Sequence, residues 1–157
     1  MRIWHYQLIS ALPNKQLAVQ WRELIAIKDL IDKYNSPNQP LVNKMMNSHV
    51  SHFKTYTTMI YNEMRSRGFN PANFKYEEIL DWDVNWLYNE DDKSNGILQN
   101  ISIDKVQLFP DWHNRRYFLQ CLSNLQEKFD CGLISHVEWA RIVIEHDKYI
   151  NVGGGKL

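Results

Sequence analysis

From Asn14 onward the apolar positions recur at a helical step of about 100° per residue. Leu17, Trp21, Leu24, Ile27 and Ile31 fall on one side, and Val19 and Leu30 extend it. This pattern predicts a first helix over about Asn14 to Tyr34, with Asn14 as its N-cap after Pro13. Asn35-Ser36-Pro37-Asn38-Gln39-Pro40 breaks it, because two prolines and several cap-type residues cannot continue a helix. A second stripe, Phe53, Tyr56, Ile60 and Met64, predicts a helix that starts between Asn43 and Ser48. It stops at Gly68, a good residue just past a helix end, with Pro71 close behind. Tyr76 to Tyr88 reads as a third helix rich in aromatics (Trp82, Trp86), and Glu90 to Gly96 as a solvated loop. Ile101 and Ile103 alternate like a short strand inside the ambiguous stretch Ile97 to Phe109. Pro110-Asp111 is expected to open a further helix with Phe118, Leu122, Leu125 and Phe129 at core spacing, closed by Asp130-Cys131-Gly132. Ser135 and Glu138 have the capping-box spacing and start a last helix to about Lys148.

Met1 to Leu12 lacks a regular period and reads as an extended arm, with Ile3, Leu8 and Ile9 as packing anchors. The pattern as a whole predicts an all-α fold: one domain over residues 1–150, four to five helices, and an amino-terminal arm crossing the first helix. Residues 151–157, with three consecutive glycines, read as a flexible tail.

Composition narrows this picture. A chain of 157 residues suits one domain with a real core. The 13% aromatic content, with 6 Trp, suits either a dense small core or a surface that stacks on flat ligands. No run is long and apolar enough for a transmembrane helix, and no leader is read, so a cytoplasmic protein is expected. Cys121 sits on an apolar helical face, where packing is its ordinary role, and Cys121 and Cys131 show no metal-ligand spacing. The formal net charge is zero, yet residues 1–70 carry +5 and the remainder −5. A cationic first half permits a polyanion to dock there. Neutrality overall argues weakly against nucleic acid as the main partner.

Four groups of residues carry candidate chemistry. The first is Met1 with Glu23. A carboxylate on the apolar arc of a helix is costly unless it is paired or used. An α-amino group titrates at about 7.7–8.0, so an appreciable fraction is nucleophilic near neutrality. Such an amine can form an imine while a neighbouring carboxylate moves protons. On the residues alone the ordinary reading, a frayed terminus and a half-exposed acid, is the stronger. The second group is His49 and His52, with His5 and His113 in reserve. Their spacing allows a metal, but no third ligand follows at a diagnostic distance, and hydrogen-bonded histidines are the better reading. The third is Lys15, Arg22, Lys54, Arg65 and Arg67, which either touch phosphates or form a solvated face. The fourth is Trp4, His5, Tyr6 and Trp21, which either stack on bases or pack the arm on the first helix. Catalytic Ser-His-Asp or Cys-His arrangements and glycine-rich phosphate loops are not read.

The segments Met1-Arg2-Ile3, Leu8-Ile9-Ser10, Leu12, Gln16-Leu17 and Trp21-Arg22-Glu23-Leu24 resemble the amino-terminal part of the pyrimidine-dimer DNA glycosylases, the phage endonuclease V type. Met64-Arg65-Ser66-Arg67-Gly68-Phe69-Asn70 resembles that family's basic helix end. The likeness covers roughly residues 1–70. Beyond it, the Leu108-Phe109-Pro110 segment is similar to bacterial relatives of the family that have no assigned activity. The resemblance implies a compact all-α fold whose amino-terminal segment threads between helices. It implies cleavage of the glycosidic bond of a damaged base, followed by nicking of the strand, on double-stranded DNA. It makes Met1 the nucleophile and Glu23 the essential acid, needs no metal or organic cofactor, and gives Arg22 a phosphate or sugar. Lys15, Arg65 and Arg67 would assist on the backbone, with Trp21 at the interface, and the protein is expected to act as a monomer. It raises Glu23 above the ordinary reading.

This chain departs from the family in three ways. Arg2 follows Met1, and a residue that large blocks removal of the initiator Met, so the amine belongs to Met1 where the phage enzyme exposes a Thr. One more residue then precedes Glu23, an extended step of about 3.3 Å that the arm has to take up. Ala26 and Gln16 stand where the family has a second Arg and a His, and the phage enzyme is strongly basic where this chain is neutral. The expected function is a repair glycosylase with abasic-site lyase activity on a damaged or modified pyrimidine. The alternatives are a non-catalytic nucleic-acid- or protein-binding module on the same scaffold, and an N-glycosidase acting on a different nucleoside.

Overall fold

The computed structural model describes residues 1–35, 38–84 and 107–152. Every element among them is helical: a 3-10 helix at Tyr6–Ala11, then α1 (Asn14–Tyr34), α2 (Pro40–Met46), α3 (Val50–Ser66), α4 (Asn73–Leu80), α5 (Arg115–Asp130) and α6 (His136–Asn151). The all-α expectation holds. Two elements exceed the expected four to five helices. Pro40 does not only end a loop: it is the first residue of α2, where its missing N–H costs nothing. The second half of the arm winds into the 3-10 helix, with His5 Nδ1 accepting from the Gln7 N–H at its start. Trp86, Tyr88, the Glu90–Gly96 loop, the alternation at Ile101 and Ile103, and residues 153–157 lie outside the described residues.

The predicted stripes form most of the core, with Val19, Leu30, Leu122 and Phe129 half-buried at its edge. Leu17, Trp21, Leu24, Ile27 and Ile31 of α1 meet Phe53, Tyr56, Ile60 and Met64 of α3, and all are buried. Phe118, Cys121 and Leu125 of α5 close the other side, and Ile3, Leu8 and Ile9 of the arm fill the middle. Helix boundaries depart from expectation where capping decides them. Asn14 is the first residue of α1 and makes no cap; its side chain accepts from Arg67 instead. α5 starts at Arg115, after a turn at Phe109–His113, with Asn114 accepting from the Tyr117 N–H. α4 ends at Leu80, short of the predicted end. The capping box at Ser135 and Glu138 is present on α6. Gly68, at φ +84°, closes α3 as expected: the Phe69 N–H donates back to the Met64 carbonyl, a geometry that a Cβ would strain.

Candidate functional site

Residues 1–5 enter the core with no neighbouring strand among the described residues. A buried backbone without a sheet partner still has to satisfy its N–H and C=O groups, and here side chains do so. The Gln20 amide donates to the Arg2 carbonyl at 2.9 Å and accepts from the Trp4 N–H at 2.9 Å. Tyr56 Oη donates to the Trp4 carbonyl at 2.8 Å and lies 3.1 Å from Gln20 Oε1. Tyr117 Oη donates to the Ile3 carbonyl. Burial pushes the Tyr56 and Tyr117 phenols well above their ordinary value, so both remain donors. The arm is held along its length by α1, α3 and α5.

That arm ends on Glu23. The Met1 amino nitrogen lies 3.7 Å from Glu23 Oε1, and the Arg2 N–H donates to Oε2 at 3.3 Å. Glu23 stands at the edge of the apolar face of α1, one turn beyond Gln20, with 22% of its side chain exposed. The carboxylate is paired with the chain's first residue and open to solvent on one side. The extra residue before Glu23 is absorbed, since amine and acid are within ion-pair distance.

The other expected site residues divide. Arg22, Lys15 and Arg65 are exposed. Arg67 is engaged inside the protein: it pairs with Glu63 at 2.7 Å and donates to the carbonyls of Leu12, Ser10 and Ile9, closing the end of the 3-10 helix. Its guanidinium is spent on the arm. Trp21 is 6% exposed and packs against Tyr61, so its flat faces are not open to a base. Trp4 and His5 are buried as well, which decides their reading as packing. His49 caps α3 by accepting from the Ser51 N–H, and His52 accepts from the Phe109 N–H, so both act through hydrogen bonds. Gln16, at the position of the family's His, is largely buried.

Sequence reasoning missed the residues that hold the arm: Gln20, Tyr56, Tyr117 and Asn124. Gln16 and Gln20 lie on the arc of α1 that carries Glu23, and two glutamines on a buried arc are a signal of the same kind as the acid itself. The hydroxyls of Tyr56 and Tyr117 left no mark, because tyrosine at a core position reads as packing.

Residues 1–77 match the family model described as pyrimidine dimer DNA glycosylase. Over that stretch the chain is similar to this family. The match takes in the arm, α1, α2, α3 and the start of α4, hence both Met1 and Glu23, and stops short of α5 and α6. No curated protein and no solved structure matches the chain. No helix among the described residues is long and apolar enough to cross a membrane.

The root of the arm is built on neutral histidines. His5 is fully buried: its Nε2 faces the His113 carbonyl at 2.9 Å, and its ring stacks on that of His113 at 5.0 Å. Burial lowers the His5 pKa from 6.5 to about 4, against the opposing pull of the His113 carbonyl. Burial also holds His113 well below the ordinary range, and the neighbouring imidazoles of His5 and His52 add to this. The unfolded chain therefore binds protons that the folded chain refuses. The stabilisation is complete above about pH 6.5 and is lost as pH falls from there toward about 4. The His5 shift alone corresponds to roughly 3 kcal/mol at 1.36 kcal/mol per unit. Urea midpoints measured from pH 7.5 to 4.5 should fall along this window, and His5→Phe should flatten part of the slope. An unchanged midpoint down to pH 4.5 would contradict the neutral arrangement.

Proposed function

We propose that this protein is a DNA glycosylase with associated lyase activity, acting on a damaged or modified pyrimidine in double-stranded DNA. One observation carries the reading: an amino group held 3.7 Å from a partly exposed carboxylate at the end of a clamped arm. The family match over residues 1–77 supports glycosylase chemistry on DNA.

In this reading Glu23 takes a proton from the Met1 ammonium 3.7 Å away, and the freed amine attacks C1′ of the lesion nucleotide. The N–C1′ bond forms as the bond to the base breaks, and the base leaves with a proton taken from the attacking amine. Opening of the sugar ring at O4′ gives an imine between Met1 and C1′. Glu23 protonates O4′, stabilises the cationic imine and then accepts the C2′ proton, so that the 3′ phosphate departs by β-elimination. Arg22, exposed on the turn that carries Glu23, binds the flanking phosphate, with Lys15 and Arg65 adding charge. C1′ is inaccessible in a stacked duplex, so the DNA has to bend or extrude a nucleotide. A neutral protein should hold non-specific DNA less tightly than a basic one.

Borohydride trapping tests the reading on duplexes carrying a thymine dimer, a set of modified pyrimidines, an abasic site or no lesion. The expected result is a covalent adduct on one of the base lesions, mapped to the Met1 amine, and none on the intact duplex. Adduct on the abasic site alone would not suffice, since any amine reacts there. Binding without adduct across all base lesions would overturn the reading in favour of a non-catalytic module. Release of base from free nucleosides, insensitive to salt, would favour a different N-glycosidase.

A further inference from the structure

The family match ends before α5, yet α5 reaches the chain end. Three of its residues, Tyr117, Cys121 and Asn124, repeat at the spacing of one helical face. That face lies along the arm. Tyr117 Oη donates to the Ile3 carbonyl, and Asn124 Oδ1 accepts from Arg2 Nη2 at 3.1 Å. Asn124 is itself steadied, its amide donating to the Gln120 carbonyl at 2.8 Å. The Cys121 thiol lies between, against both Tyr117 and Arg2. Arg2 also spreads over the Trp4 ring, 5.1 Å from its centroid. On the opposite side, α1 holds the Arg2 N–H through Glu23 and the Arg2 carbonyl through Gln20. Arg2 is thus gripped from two helices, by backbone on one side and by side chain on the other.

We propose that Tyr117 and Asn124 of α5 are positioning residues for the Met1 amine, so that the segment beyond the family match completes the site. The assignment rests on the reading of Met1 and Glu23 given above. The physical reason is the shape of the grip. α1 holds the Arg2 N–H and carbonyl, and Tyr56 of α3 holds the Trp4 carbonyl, which leaves the Ile3 carbonyl and the Arg2 side chain to α5. The α5 contacts complete the grip and hold the first peptide against Glu23. A displacement of the reacting amine by about 1 Å is enough to cost on the order of a hundredfold in rate. The aim is therefore set by hydrogen bonds that touch neither substrate nor Glu23.

Tyr117→Phe removes one hydroxyl and keeps the ring, and Asn124→Ala removes a half-exposed contact with little risk to folding. Single-turnover imine trapping at saturating enzyme should slow by about tenfold to a hundredfold in Tyr117→Phe. In Asn124→Ala it should slow by about threefold to tenfold, the range of one hydrogen bond. The DNA Kd of each should stay within about twofold of the parent, because neither residue is placed on DNA. Asn124→Gln should recover part of the rate, which a packing role would not give. The nuclear Overhauser contact between the Arg2 amide proton and the Glu23 γ protons should weaken in both variants, without any DNA present. Trapping within twofold of the parent in both variants, or an unchanged Arg2–Glu23 contact in Tyr117→Phe, would overturn the positioning role. If the parent protein traps no lesion at all, the catalytic reading fails by itself, and the Overhauser contact still decides whether α5 holds the chain end.

Discussion

Glu23→Gln should abolish turnover and leave the folded protein and its DNA affinity nearly intact. The substitution is close to isosteric. The side-chain carbonyl of a glutamine can still accept the Arg2 N–H, so the arm keeps its end contact. What is lost is the ion pair to Met1 and the ability to move a proton. A partly exposed ion pair contributes at most about 1 kcal/mol, so the urea midpoint should shift little. Proton transfer by a positioned side chain contributes about 10² to 10⁴ in rate, and stabilisation of the cationic imine adds to that. The measurement is the single-turnover rate beside a binding titration on the same lesion duplex. A fully active Glu23→Gln would remove Glu23 from the chemistry, whatever its distance from the amine.

Blocking the Met1 amine should be equally severe. Acetylation turns it into an amide with no nucleophilic lone pair. An added residue does the same to Met1 and carries the new amine an extended step of about 3.3 Å onward. In both forms, trapping should fall below detection while Kd remains near that of the unblocked protein. Intact mass and amino-terminal sequencing establish the state of Met1 in each sample. Adduct formation that survives the block, mapped to a lysine, would transfer the nucleophile's role elsewhere and leave Met1 as a structural plug. The two experiments are independent, since one removes the acid and the other the amine.

The helices α1, α3 and α5 were legible because each repeats an apolar stripe at helical spacing, and burial of that stripe is what makes a helix stable in a protein; α6 was legible from its capping box. Short α2 lacked such a stripe, and its proline reads as a breaker as readily as an opener. The start of α5 was misplaced because Pro110-Asp111 looks like a helix opening, whereas Asn114 supplies the actual cap. Glu23 stood out for a local reason: a charge on an apolar arc is costly, and that cost is visible without any neighbour.

Arg67 and Trp21 show the opposite case. A cation at a helix end and an aromatic beside an acid look alike whether they face a ligand or the protein. Here the Arg67 guanidinium lies on the carbonyls of the 3-10 helix, and Trp21 lies in the core. Apart from Glu63, one turn back from Arg67, their partners are far away in the chain, and no spacing within one helix encodes them.

The sequence by itself determined the all-helical class, the main core stripes, and the pairing of an unusual acid with the first residue as a thing to look for. Only the tertiary structure decided that the two meet at 3.7 Å, that glutamine and tyrosine side chains replace a strand partner for the arm, and that α5 touches the arm. Periodicity reports how one segment divides between core and solvent. Contacts between the arm and three helices depend on how those segments pack, and that is a property of the whole chain.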